Sequence, residues 1–319
     1  MPEPAHPIRF DCFMENALYG PRGYYTSERQ IFGARGDFTT SPKLSLIFAK
    51  AIAQWVIEAW EFFGKKLPLI ELGPGDGSLA LGIRKAFPFW QAPFLSYHLV
   101  EKSPALRARQ QDRLGKKHRW HDSLEAALDF HNGEALVISN EVIDAFAVRI
   151  FKKNDVGWDE LHLAGNEEIW MPTEKLPDST QFAHDWPIGQ RLEIHDDARA
   201  FLHEQLAPMT RGDLLTIDYG GSAEFLYHRR PRGNLRAYLL HQIIDPPAAY
   251  QNPGHQDLTT DVCFDDLIHW LTPKGFKTIT LQSQHDFLEP HAENTLQDIY
   301  LTHPDGPGAA FQVLHQRLR

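Results

Sequence analysis

The sequence predicts an α/β protein of the Rossmann-like kind, a seven-stranded sheet carrying an N-terminal helical segment and substrate-side insertions. Three observations predict it. An apolar run, Leu67–Leu72, passes directly into Gly73, Gly75 and Gly77, and then into helical spacing at Leu79, Ile83 and Phe87. Short apolar runs recur downstream, alternating with helical patterns. Each run ends in acids or amides: Glu71, Glu101, Asp122 and Asn140-Glu141. In open parallel sheets the ligand crevice lies at those carboxyl ends.

Strand, glycine turn and helix bring bare backbone against a nucleotide. A dinucleotide fingerprint wants its third glycine one place later, where Ser78 stands. Glu71, just before the first glycine, would face a positive ammonium. That pattern suits S-adenosylmethionine (SAM) better than a nicotinamide nucleotide. Taken alone, the turn can also be read as an ordinary strand-to-helix connection.

Ahead of the turn, residues 8–30 gather around Tyr19-Gly-Pro-Arg-Gly-Tyr-Tyr25, and Gly36–Pro42 forms a polar loop. Ser41 is a good N-cap and Pro42 a good first helical residue. Leu44, Phe48, Ala51, Trp55, Ala59 and Phe62 keep 3–4 spacing, predicting an amphipathic helix over 42–63 that Gly64 ends. Asp37 reads either as turn chemistry or as a ligand. Beyond the turn, Phe94–Val100 is a second strand ending at Glu101, where this type of fold hydrogen-bonds ribose hydroxyls. Ser103-Pro104 starts a helix, a short strand covers Arg119–His121, and Glu134–Ser139 is the fourth strand.

Residues 147–205 break the alternation, with strands at Val148–Phe151 and Glu160–Leu163 among scattered tryptophans and prolines. A helix over Asp196–Leu206 and a fifth strand over Asp213–Ile217 follow. Residues 222–262 read as a long polar, structureless, lid-like segment. A helix over Phe264–Leu271, a strand over Phe276–Leu281 and a closing strand over Ala309–Arg319 complete the sheet. The expected organisation is an N-terminal segment 1–66 packing on the core, a SAM-binding half 67–146, an inserted subdomain 147–205 and a second half 206–319.

Apolar residues at 42% and charged residues at 23% fit a soluble globular chain, and a formal charge of −10 argues against a nucleic-acid partner. Only Cys12 and Cys263 are present, which fits a reducing compartment without disulfides. The 17 histidines include no metal-binding spacing beside carboxylates, so no metal is expected. No Gly-x-Ser-x-Gly elbow points to a hydrolase. No run spans a bilayer and the start resembles neither a signal nor a transit peptide, so a cytoplasmic protein without a membrane partner is expected.

Several words in order, Gly20–Tyr25, Gly36–Pro42, Glu71–Gly77, Val100–Pro104, Asn140–Ala145, Ile217–Gly220, Leu235–Gln242 and Gln256–Thr259, cover nearly the whole chain. Together they resemble the MidA family of SAM-dependent methyltransferases, whose mitochondrial member is an arginine methyltransferase assisting respiratory complex I assembly. The resemblance implies a SAM-dependent methyltransferase fold, S-adenosyl-L-methionine as cofactor and a protein substrate with an accessible arginine. A homodimer is compatible with it. The residue pattern and the resemblance together assign the cofactor to Asp37, Thr40, Ser41, Pro42, Glu71, Gly73, Gly75, Gly77, Glu101, Lys102, Asp122, Ser123, Asn140 and Glu141. The chain departs from the family at Asp76, Ala147, His255 and Asp261, so the cofactor words survive best.

Guanidinium is a poor nucleophile, delocalised and protonated. Carboxylates gripping its other nitrogens would orient it and localise density on the attacking one. Glu141 and Asp144, past the fourth strand, are the first candidates, with Asp218, Tyr219 and Asp257 behind them. Asp144 can equally be a cap, and Asp257 a residue that orders its loop. Protein-arginine N-methyl transfer is the leading expectation. A methyltransferase for a small molecule or another side chain, and a SAM-binding assembly protein with little turnover, are the alternatives.

Overall fold

A computed structural model describes residues 6–26, 46–115, 118–239, 242–293, 295–303 and 306–319. The described residues fall into two compact units.

The first unit lies within Phe32–Val142, Leu202–Tyr219 and Leu271–Arg319. Its sheet runs in the order Lys277–Ser283, Phe311–Leu318, Arg211–Gly221, Glu134–Asn140, Leu69–Leu72, Tyr97–Val100, Arg119–His121. Neighbouring strands are parallel except on either side of Phe311–Leu318, which runs antiparallel. The chain lays down its first three strands outward from Leu69–Leu72 and then returns to the other side of it with Glu134–Asn140. That reversal is the topological switch point at which α/β sheets bind ligands.

Every residue of Leu69–Leu72 and of Tyr97–Val100 is buried, which explains why both strands are apolar apart from Glu71 and His98. The helix Leu46–Phe63 presents Phe48, Ile52, Trp55, Val56 and Ala59 at 3–4 spacing to this core. Burying each of its large apolar side chains contributes about 1.5–3 kcal/mol. Its Trp60 indole donates to the Leu67 carbonyl at 2.7 Å, and Gly64 turns the chain at φ 62°. The closing strand is pinned by Arg317, which grips the buried Asp213 through two bonds of 2.7 Å. The second strand is shorter than expected, because Pro93 sets a 3₁₀ turn over Ala92–Phe94 and pairing starts only at Tyr97.

The second unit lies within Met1–Ile31, Ile143–Phe201 and Gly220–Trp270. One antiparallel sheet runs Ile8–Arg9, Trp158–Ala164, Arg149–Lys153, Arg191–Ile194, with Glu167–Thr173 also paired to Trp158–Ala164. Phe151, Trp158, Leu192, Ile194, Leu226 and Tyr227 are buried together against it. The helix Phe10–Tyr19, placed by the sequence reading in a segment continuous with residues 46–66, belongs to this unit.

The structureless reading of 222–262 is overturned. This stretch forms a helix over Ala223–Tyr227 and a sheet ordered Gln242–Ile244, Arg236–Leu239, Asp257–Thr259. Ala237 and Leu258, opposite each other in that sheet, are almost wholly buried. With strands of three or four residues, one buried pair is all the alternation available, too little to register as a period of two.

Candidate active site

In the first unit the glycine turn is held in left-handed backbone, with φ of 62° at Gly73, 52° at Gly75 and 78° at Gly77. At Gly73 a β-carbon would stand 2.9 Å from a Val142 methyl, so the bare α-carbon is a packing requirement as well as a conformational one. Asp76 closes the turn by accepting the Ser78 N–H at 3.0 Å and the Ser78 hydroxyl at 2.6 Å, and Arg113 pairs with it at 2.9 Å. Asp76 thus ties the turn to the first residue of the following helix.

Glu71 is buried and accepts the Tyr97 hydroxyl at 2.7 Å. Burial pushes its carboxyl up to about 7; the Tyr97 bond opposes this and the charge of Asp76 adds to it. Glu101 is also buried, and burial likewise raises its pKa. One oxygen accepts the Ser103 N–H at 2.8 Å and the other the Gln110 amide at 3.0 Å. An ionised carboxylate has about four lone-pair sites, so capacity for the two hydroxyls of a ribose remains.

At the end of the fourth strand the chain turns through Asn140, Glu141 and Val142. The Glu141 N–H donates to the Ile217 carbonyl at 2.9 Å, and Glu141 itself takes φ 51°, a conformation costing a residue with a side chain about 1–3 kcal/mol. The Asn140 amide donates to the Glu141 carboxylate at 3.3 Å. Asn140 Oδ1 and Ser139 Oγ are buried and lack a hydrogen-bond partner among the described residues. Asp218, with none of its surface exposed, accepts the Val142 N–H at 3.3 Å and the Tyr219 N–H at 3.0 Å. Both of these bonds come from backbone N–H groups, so Asp218 braces this turn.

These residues fit SAM. The bare glycine backbone admits a nucleoside, Glu101 keeps acceptor capacity for hydroxyls, and the orphaned Asn140 and Ser139 oxygens offer polar partners at the switch point. Other assigned residues do different work. Ser123 caps the helix Leu124–Phe130 by accepting the Ala126 N–H at 3.0 Å. Asp122 is exposed and paired with Arg107 at 2.7 Å, and Lys102 is exposed. Asp37, Thr40, Ser41 and Pro42 lie outside the described residues, as does the predicted start of the helix over 42–63. Sequence reasoning missed Gln110, a fully buried amide on the helix Pro104–Leu114; its only signal is a polar residue between Leu106 and Leu114 on one helical stripe.

In the second unit Asp144 and Asp257 gather with two tyrosines. The Tyr19 and Tyr25 rings stack with centroids 5.4 Å apart and planes 19° apart. The Tyr19 hydroxyl donates to the Ala145 carbonyl at 3.0 Å and the Tyr25 hydroxyl to the Asp257 carboxylate. Burial, and then the charges of Asp257, Tyr19 and Asp144, lift the Tyr25 phenol well above its ordinary value. Thr259 donates to Asp144 at 3.3 Å. Burial pushes Asp144 up to about 6, opposed by Arg236 and Thr259. Asp261 receives Arg236 at 2.7 Å and Arg230 at 2.8 Å. The arrangement can receive a planar cation: aromatic faces and carboxylates are the groups that recognise one.

A family model of S-adenosyl-L-methionine-dependent methyltransferases matches residues 51–282. The human mitochondrial protein arginine methyltransferase NDUFAF7 is 27% identical over 346 residues, covering 97% of this chain and 75% of that protein. The Drosophila melanogaster homolog of that name is 28% identical over 316 residues, covering 84% of this chain and 68% of the relative. Among solved structures, a COG1565 superfamily member from Burkholderia thailandensis bound to S-adenosyl-homocysteine superposes with a TM-score of 0.85. It is 30% identical and covers 98% of this chain and 88% of its own.

Proposed function

Because this chain belongs to the family of S-adenosyl-L-methionine-dependent methyltransferases, we propose that it methylates an arginine side chain of a partner protein. The observation that carries this reading is the acidic and aromatic group formed by Asp144, Asp257, Tyr19 and Tyr25. The names of the curated relatives, protein arginine methyltransferases, support it.

When bound, the cofactor supplies an electrophilic methyl group, and the acceptor guanidinium must be held and relieved of a proton. Carboxylates do the holding: paired bonds to two guanidinium nitrogens leave the third as the nucleophile. Glu141 is the residue we assign to that contact, its backbone fixed by the Ile217 carbonyl and its carboxylate by the Asn140 amide. Asp144, lifted to about 6, is a better proton acceptor than an ordinary aspartate. Glu71 and Glu101 complement the ammonium and ribose of the cofactor.

Incubating the protein with isotope-labelled SAM and a native extract, followed by mass spectrometry of captured proteins, tests the reading. Labelled methylarginine supports it. Label confined to small molecules or to other side chains overturns it.

A further inference from the structure

We propose that Gln110 is a positioning residue for the cofactor's ribose, locking the Glu101 carboxylate to the glycine turn in one orientation. Its amide nitrogen donates to Glu101 Oε2 at 3.0 Å and to the Gly75 carbonyl at 2.8 Å. Its amide oxygen accepts the Trp120 indole N–H at 2.8 Å. The indole is only a donor and the carbonyl only an acceptor, so one flip state of the amide satisfies all three partners.

The side chain is fully buried, and it joins three segments: the glycine turn, the end of the second strand and the third strand. A buried amide left with unmatched partners is costly; here each polar atom is matched. With the Ser103 N–H on its other oxygen, Glu101 is held from both sides. Burial disfavours the charge on Glu101, and the Gln110 and Ser103 bonds offset part of that, keeping a carboxylate as the ribose acceptor. The inference rests on Glu101 as the ribose-binding acid.

The test is calorimetric titration with S-adenosyl-homocysteine and with an analogue lacking the 2′ and 3′ hydroxyls. Wild-type protein should prefer the natural ligand. Gln110→Met keeps the shape and removes the bonds. It should weaken the natural ligand about 10- to 100-fold, the equivalent of one hydrogen bond to a charged group, and the analogue hardly at all. Trp120→Phe, which leaves the amide oxygen without its donor and so loosens the side chain, should show the same pattern at smaller size, and it carries the comparison should Gln110→Met fail to fold. Equal weakening of both ligands, or no weakening of either, overturns the positioning role. A wild-type protein that binds both ligands alike removes Glu101 from the ribose, and the proposal with it.

Discussion

The Asp218 carboxylate accepts the Val142 N–H at 3.3 Å, and the Val142 side chain in turn stands over the α-carbon of Gly73. One buried acid on the fifth strand therefore braces the turn after the fourth and, through it, the glycine turn after the first. Asp218→Ala strands the Val142 and Tyr219 N–H groups without that acceptor. The expected loss of stability is about 1–3 kcal/mol for each. Urea denaturation checks this, and a change within about 0.5 kcal/mol would remove Asp218 from the role of brace, that being the range of ordinary surface substitutions.

Gly73 and Gly64 share φ 62° but differ in surroundings. A β-carbon at Gly73 meets Val142 at 2.9 Å, and at Gly64 nothing lies within 4 Å. Gly73→Val should abolish SAM binding by displacing the turn, whereas Gly64→Ala should cost only the left-handed strain, about 1–2 kcal/mol of stability, with affinity unchanged. Titration of both variants with SAM decides it. Equal effects on binding would deny the glycine turn its special place.

His98, His121 and His131 form a chain of bonds, 2.9 Å from His98 to His121 and 3.0 Å from His131 to His98. Burial, and then the other two rings, lowers His98 to about 3. Above about pH 6.5 the three rings are neutral folded or unfolded and contribute no pH dependence. Below it the unfolded chain binds protons that the folded chain refuses, so stability falls as the pH falls. The expected loss from His98 alone is about 2 kcal/mol by pH 5. Denaturation at pH 7 and pH 5 measures it, and His98→Leu should flatten the slope. An unchanged slope in that variant would refute the assignment.

What the sequence made legible follows from local chemistry. The glycine turn, the buried parallel strands and the acids at their ends are each written within a few consecutive residues, whereas the strand order, with Phe311–Leu318 antiparallel between Lys277–Ser283 and Arg211–Gly221, is set by pairings between distant segments. Gln110 was hidden because its three partners come from separate segments, and nothing about a glutamine in a helix announces them. The helix Phe10–Tyr19 escaped notice because its start lacks a side-chain cap and its buried stripe includes a charged residue, Asp11, neutralised by Arg9 at 2.8 Å. Asp218 and Asp261 read in the sequence simply as acids, whereas in the fold the first holds the Val142 backbone and the second two arginines, partners far away along the chain.

The central claim is tested most directly by one paired measurement on Glu141→Gln: methyl transfer to protein arginine, and SAM affinity in the same preparation. The substitution preserves shape and removes the charge that would align the acceptor, an interaction that strengthens toward the transition state. Turnover should fall about 100-fold or more while SAM affinity stays within a few-fold. Full methylation of protein arginine by Glu141→Gln would contradict the account.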